Sequence, residues 1–370
     1  MAFTPSLTPA DLASKLGARL RQILRSHVWF LAALGLYVLA GQIIPRLYGL
    51  EDYIRLSLYR EALPALLFLY LLGFALGHVV YVLAIVRPAQ PLAHIVGDYR
   101  DRFLTVERLG GAALVILLVP VMFSVFTSFK VMIPRIVPFY WDETFARWDE
   151  LLHGGVAPWE ILQPLVGFPA VTEVISFSYQ FWILLLNGLL LWQAFCVADP
   201  RLRMQFLLTN ILIWSLLGNL LATLLSSAGP CYYPLVTGAG DPFLPLFDYL
   251  HRVSETHYLP QLKIQELLWN DYQAGGVLQA RGISAMPSMH VSSAFLFLLL
   301  GWRVNRILGW TLTVFFGLIL IGSVHLGWHY AIDGYVSIPL TWLLWHLAGR
   351  LLDLDPLFRS TKPRPAAAPA

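Results

Sequence analysis

Eight apolar runs divide this chain, at about residues 28–45, 62–86, 110–129, 171–197, 205–227, 287–302, 307–327 and 332–351. A helix needs about 20 apolar residues to cross the hydrocarbon layer of a bilayer. Inside that layer every backbone N–H and C=O must be paired within the protein, which helices do by themselves. The runs therefore predict an all-α polytopic membrane protein with about eight transmembrane helices. The charge content agrees: 13% of residues are charged, against about 25% in soluble domains. A formal charge of +3, with no basic cluster interleaved with aromatics outside the apolar runs, points away from nucleic acid. The thirteen Trp and sixteen Tyr suit the two membrane interfaces.

Lysine and arginine sort with these runs. They fall in the N-terminal segment (Lys15, Arg19, Arg21, Arg25), the 87–109 loop (Arg87, Arg100, Arg102, Arg108), the links near 200 (Arg201, Arg203) and 304 (Arg303, Arg306), and the tail (Arg350, Arg359, Lys362, Arg364). With eight spans all five segments share one side. The positive-inside rule then predicts cytoplasmic termini, in an inner or plasma membrane, with the alternate loops on the periplasmic or lumenal side. Residues 1–27 carry Thr8 as an N-cap, Pro9 at the first helical position, and Leu12, Leu16, Leu20 and Ile23 on one face. That pattern fits a cytoplasmic amphipathic helix on an anionic membrane surface, with a solvated basic tail as the alternative. Residues 28–109 supply two accessory transmembrane helices. Residues 110–351 supply a six-helix catalytic core with a long outer loop at 228–286. Residues 352–370, Pro/Ala-rich from Thr361, are expected to be disordered. No cleavable signal pattern is evident. Cys196 and Cys231 fall on opposite faces, and they form neither a disulfide framework nor a metal motif.

Polar chemistry is concentrated in two places on the same outer face. The first is Ser323-Val324-His325-Leu326-Gly327-Trp328-His329-Tyr330-Ala331-Ile332-Asp333. Ionisable residues at a membrane boundary are costly and tend to be functional. His329 and Asp333 are four apart, on one face of a helix. A carboxylate there fixes the imidazole tautomer and leaves the second nitrogen free to attack. The second place is Ala285-Met286-Pro287-Ser288-Met289-His290, at the start of an apolar run. A helix N-terminus presents unpaired N–H groups that favour phosphate, Ser288 adds a hydroxyl to cap the helix or touch the ligand, and His290 is placed to protonate a leaving alkoxide. Together they describe a phosphoryl-handling site. His329 attacks phosphorus, Asp333 stabilises the imidazolium, His290 protonates the departing oxygen, and water or a second alcohol then takes the phosphoryl group. The scheme needs no metal and no cofactor.

The 130–170 loop repeats Trp141-Asp142-Glu143 as Trp148-Asp149-Glu150 seven residues later. This spacing stacks the triplets on one face of an interfacial helix anchored by tryptophan; an acidic metal or substrate site is the alternative. The 228–286 loop, rich in Pro, Gly and aromatics, is the only long outer loop near the histidines and is expected to roof the site.

Pro287-Ser288-Met289-His290 followed by His329-Tyr330-Ala331-Ile332-Asp333 resembles the type 2 phosphatidic acid phosphatase superfamily, over roughly residues 110–350. The resemblance implies a six-helix core with a histidine nucleophile and a histidine acid. The phosphatase branch carries Lys, six residues, then Arg-Pro before the Pro-Ser-x-His element, where this chain has Gly229-Pro230-Cys231-Tyr232-Tyr233. It also carries Ser-Arg before the nucleophile, where this chain has Gly322 and Ser323. Without those cations the pattern is similar to the inositol phosphorylceramide synthase and sphingomyelin synthase branch, implying transfer of a phospho-headgroup from a phospholipid donor to a lipid acceptor. Hydrolysis of a phosphatidic acid or polyprenyl phosphate is the alternative, with water as acceptor. Arg281, Lys263 and Arg252 are candidate replacement cations, and Tyr232 and Tyr233 are candidate donors to the substrate. Two readings of other classes remain: a metalloenzyme using His325, His329 and Asp333 as ligands, and a lipid transporter with a midplane polar site. No pattern assigns an oligomeric state.

Overall fold

The computed structural model describes residues 9–276 and 282–359. All regular structure among them is helical. The N-terminal segment forms α1 (Pro9–Ser26), with Leu16 and Leu20 exposed along it. Next come α2 (Val28–Leu47), α3 (Leu63–Tyr81) and the long α4 (Val106–Ile136). A short α5 (Asp142–Leu152) precedes α6 (Pro169–Phe195) and α7 (Pro200–Leu212). The stretch expected as an irregular roof instead contains α8 (Leu244–Ser254) and α9 (Pro260–Gln273). The chain closes with α10 (Met289–Val304), α11 (Arg306–His325) and α12 (Ala331–Leu354).

A helix thus forms at each of the eight apolar runs. Six of the described helices are long and apolar enough to cross a membrane: Val28–Leu47, Leu63–Val86, Val106–Ile136, Pro169–Phe195, Pro200–Leu224 and Arg306–His325. The α10 helix is apolar but has 16 residues. The α12 helix has 24 residues, yet its inward face carries Asp333, Ser337 and Thr341, all buried, so its polar groups serve the interior of the bundle.

The helix ends follow local chemistry. Ser288 Oγ accepts from Val291 N and starts α10. Asn305 ends α10 and caps α11, accepting from Leu308 N at 2.9 Å. The turn is tight because Gly301 and Gly309 let the two helices meet; a Cβ on Gly301 would stand 3.0 Å from the Leu308 carbonyl. Asp199 caps α7 through Leu202 N. Buried Arg203 sends its guanidinium to the Gln193 and Ala194 carbonyls at the C-terminus of α6, where the helix dipole favours a cation. Beyond Leu212, α7 runs on through a π-helical stretch, Ile213–Leu221, a distortion that often marks functional surroundings. Gly218 in it faces Phe126 and Met289, and a Cβ there would lie 2.8 Å from the Phe126 ring.

Helices α4, α6, α7, α10, α11 and α12 pack as one bundle, with Met122, Leu186, Phe206, Phe297 and Ile319 among its buried side chains. Helix α2 joins it through Phe30, Leu34 and Tyr37, and the Tyr37 hydroxyl donates to Asn219 Oδ1 inside the bundle. Helix α3 is different: none of its residues is buried. Helices α10 and α12 start at the end of the bundle where α11 stops. The opposite end holds the Arg25–Asp355 and Arg201–Asp353 ion pairs, at 3.2 and 2.8 Å, so both described termini lie away from the histidines. Order runs past the expected boundary at 351, because Leu352 and Phe358 are buried and Asp355 accepts from Trp29 and Arg25. Thr8, Arg281 and the tail from Thr361 lie outside the described residues.

Candidate active site

Segments from distant parts of the sequence meet at the histidine end, and two buried carboxylates of α5 tie down two of them, 228–229 and 330–332. Asp142 accepts from the backbone N–H groups of Ala228 and Gly229 and from the Tyr330 hydroxyl. Asp149 accepts from Ala331 N at 2.6 Å and Ile332 N at 2.8 Å. It therefore caps α12, the helix that carries Asp333. Burial pushes both carboxyls up, Asp149 to about 6, against the N–H groups that draw them down. The Trp-Asp-Glu repeat does form a helix, with Trp141 stacked on Phe145. Its aspartates are buried and engaged by the neighbouring segments, and no group of three potential metal ligands occurs there among the described residues. Further bonds complete the weave: Ala285 N to the Ser227 carbonyl, Cys231 N to the Gly327 carbonyl, and Gln265 Nε2 to the Leu326 carbonyl. Gly229, at φ +100°, permits it, since a Cβ there would stand 2.7 Å from the Trp328 carbonyl.

This frame orients the histidines. His329 Nδ1 lies 2.9 Å from Asp333 Oδ2, with Asp333 fully buried. With Asp333 ionised, Nδ1 donates to it and Nε2 is the nitrogen left to react. Burial lowers the basicity of His329, and the Lys130 cation lowers it further, while the Ala285 carbonyl acts the other way; the ring rests neutral, as a nucleophile requires. His290 is fixed by aromatics. Its ring lies 4.3 Å from Tyr179 and 4.1 Å from Trp182, and 6.2 Å from the His329 ring, centroid to centroid. The Trp182 indole N–H is held by Ser293 Oγ at 2.7 Å, which locks the wall against which His290 stands.

Both histidines line a cavity of about 540 Å³. Lys130, Tyr179 and Trp328 line the same end. The Tyr179 hydroxyl and the Trp328 indole N–H are buried without a hydrogen-bond partner. A buried donor left unmade costs about 1–3 kcal/mol, so two of them beside two histidines and a lysine make a natural cradle for phosphoryl oxygens. The lysine was not legible as a site residue in the sequence, because it sits near the end of an apolar helix 160 residues before His290.

The candidate substrate residues fare unevenly. Ser288 is buried, and its hydroxyl is spent capping α10. Tyr232 lines the cavity, but its hydroxyl donates to the Gln265 carbonyl at 2.9 Å and its ring stacks on Trp269. Tyr233 packs on Phe243, outside the histidine cavity. Lys263 and Arg252 are exposed on α9 and α8 and do not line the cavity. The rival metal ligands are not assembled: His325 Nε2 is engaged by Thr172 Oγ1 at 2.9 Å, and no cluster of three potential ligands occurs among the described residues. Cys196 and Cys231 are free thiols.

No curated protein and no solved structure matches the chain. The PAP2 superfamily profile matches residues 143–347, more than half of the 370. The match begins later than the expected 110 and takes in α6, α7, α10 and α11 in full, with most of α12; α2, α3 and α4, including Lys130, precede it. The chain belongs to the PAP2 superfamily, the type 2 phosphatidic acid phosphatases and related phosphotransferases.

Proposed function

We propose that this protein is a lipid phosphotransferase working through a phosphohistidine on His329. The observation that carries the reading is the 2.9 Å contact between His329 Nδ1 and Asp333 Oδ2, beside His290 and at the head of a cavity with apolar walls. His329 Nε2 attacks the phosphorus of a phosphoester lipid. The N–P bond forms as the ester P–O bond breaks, and protonated His290 gives its proton to the departing oxygen. The hydroxyl of an acceptor then attacks phosphorus. Its proton returns to His290, the N–P bond breaks, and His329 is regenerated. Asp333 holds the Nδ1 proton and balances the positive charge on the ring. Lys130 Nζ, the Tyr179 hydroxyl and the Trp328 indole N–H hold the phosphoryl oxygens.

Transfer to a second lipid, in the manner of inositol phosphorylceramide synthases, is preferred over hydrolysis. The Ser-Arg pair of the phosphatase branch has no room here. Gly322 stands where a Cβ would meet Ile175 at 2.8 Å, and Ser323 is buried with its carbonyl accepting from Trp328 N and His329 N. Lys130, from a helix outside the family match, supplies a cation from another direction. The arginine-rich end, opposite the histidines, is assigned to the cytoplasm, which puts the reaction on the extracytoplasmic side. The test is purified protein in detergent–lipid micelles with a phospholipid labelled at phosphorus, with and without ceramide and with EDTA throughout. Label moving to a new lipid, and absent with His329→Ala, supports transfer. Label released only as free phosphate or free phospho-headgroup overturns it in favour of hydrolysis.

A further inference from the structure

The cavity does not end at the phosphoryl site. On α6 its lining runs from Tyr179 through Leu186 and Leu190 to Ala194. Those sixteen residues of helix, fifteen rises of 1.5 Å, span about 22 Å. On α4 the lining runs from Lys130 to Val115, about the same length. One leaflet of the hydrocarbon layer is about 15 Å deep, half of roughly 30 Å. The cavity is therefore a channel that starts at the histidines and reaches deeper than a single leaflet. Past Lys130 its walls are mostly apolar, with Thr127 and Asn187 among the exceptions.

Its outer wall is α3. Leu63, Leu66, Leu67 and Tyr70 line it. The spacing is i, i+3, i+4, i+7, one stripe of a helix. Such a stripe ordinarily packs into a core at crystal-like density. Here it faces a void, and no residue of α3 is buried. The outward residues Phe68 and Leu69 are 68% and 55% exposed, as suits lipid contact. The helix is pinned at a few polar points instead. The Tyr70 hydroxyl donates to the Leu184 carbonyl at 2.6 Å, its ring passing over Gly188, where a Cβ would stand 3.3 Å away. At the histidine end Tyr59 bonds Thr127 at 2.8 Å, Arg55 N donates to Ser128 Oγ at 3.0 Å, and Arg135 stacks 4.6 Å over the Tyr53 ring. A wall held by pins, with its apolar stripe unpacked, is built to be filled.

We infer that this channel holds one hydrocarbon chain of the phosphoester lipid, and that α3, which the family match does not cover, is the wall that sets which chain fits. The inference rests on the proposed reaction for the identity of the headgroup. Its continuity with the two histidines is what commits the occupant to a substrate chain rather than a bulk lipid. A chain lying in the channel packs against the α3 stripe and places its phosphate at Lys130, His290 and His329.

Two experiments test it. In the first, Leu66→Trp and Leu67→Trp are compared with the outward control Phe68→Trp, using the long-chain phospholipid donor of the transfer assay and its dihexanoyl counterpart as substrates, with ceramide present. The inward variants should lose about tenfold or more in kcat/KM on the long chain, with short-chain turnover and Phe68→Trp unchanged. Equal loss on both substrates overturns the inference. In the second, a phosphatidic acid with a photoreactive group at one chain terminus is irradiated with the unmodified protein and the adducts are mapped. Adducts on Leu63–Tyr70 and on the channel residues of α4 and α6 support it, and adducts confined to the outward face overturn it. Because labelling needs no turnover, a protein that labels in the channel but transfers no phosphate would sink the proposed reaction and leave the channel standing.

Discussion

The histidine end and the α3 flank are built on opposite terms. At the histidine end, buried Asp142 and Asp149 accept from five donors in two distant segments, 228–229 and 330–332. At the flank, a helix with no buried residue stands over an open channel. The difference follows the task of each region. Phosphoryl transfer requires groups held to a fraction of an ångström by their neighbours. A lipid chain has no polar feature to align and must enter and leave, which calls for a wall of low local stability.

If that contrast is right, substitutions at the two ends should differ in kind as well as in size. The largest effect is expected for His329→Ala, which removes the nucleophile and should leave no detectable transfer in the labelled-donor assay. His290→Ala should lower kcat by about 10²–10⁴, the usual reach of general acid–base catalysis, while photolabelling of the channel persists. Asp142→Ala should act on stability instead. It strands two backbone N–H groups and a tyrosine hydroxyl, each worth about 1–3 kcal/mol when buried unpaired, and a clear fall in the detergent melting temperature checks it. An unchanged melting temperature would mean that the weave does not depend on α5. Lys130→Ala should weaken a charge-assisted contact worth about 1.5–3 kcal/mol, read as a fall in kcat/KM with Lys130→Arg partly restoring it. The smallest effect belongs to Tyr70→Phe, which removes one pin of α3 and should shift chain-length preference by severalfold at most, with the melting temperature unmoved.

The protonation of His329 gives a separate check on the histidine end. Burial and Lys130 depress its pKa below the ordinary 6.5. A depressed pKa keeps the ring unprotonated as pH falls through the usual histidine range, so the nucleophile remains available there. The acid limb of kcat/KM should therefore lie below pH 6.5, and Lys130→Ala should move it upward. A limb at 6.5 or above that Lys130→Ala leaves in place would assign it to another group.

Much of this was legible in the sequence. Run length found a helix at each of the eight apolar runs, six of them long and apolar enough to cross the hydrocarbon layer. The i, i+4 spacing of His329 and Asp333 found the contact that the fold makes. What escaped was set by tertiary structure. Lys130 resembles any helix-end lysine until α4, packed beside α6, brings it to the cavity that holds both histidines. Lys263 lies closer to His290 in sequence, yet α9 turns it to solvent. The 228–286 segment read as irregular because its Pro and Gly residues mark turns, while the helices between them, α8 and α9, are short and partly polar. Tyr232 and Ser288 have the right chemistry in the right neighbourhood, but each spends its hydroxyl on the backbone.

The most direct test of the central claim is to trap the intermediate. The protein is mixed with a phospholipid donor carrying radioactive phosphorus, without acceptor, quenched in alkali within milliseconds, and mapped by peptide. Label that is stable in base, labile in acid, located on the peptide containing His329 and absent from His329→Ala is the predicted result. Turnover with no protein-bound label at any time, or label on another residue, would contradict the account.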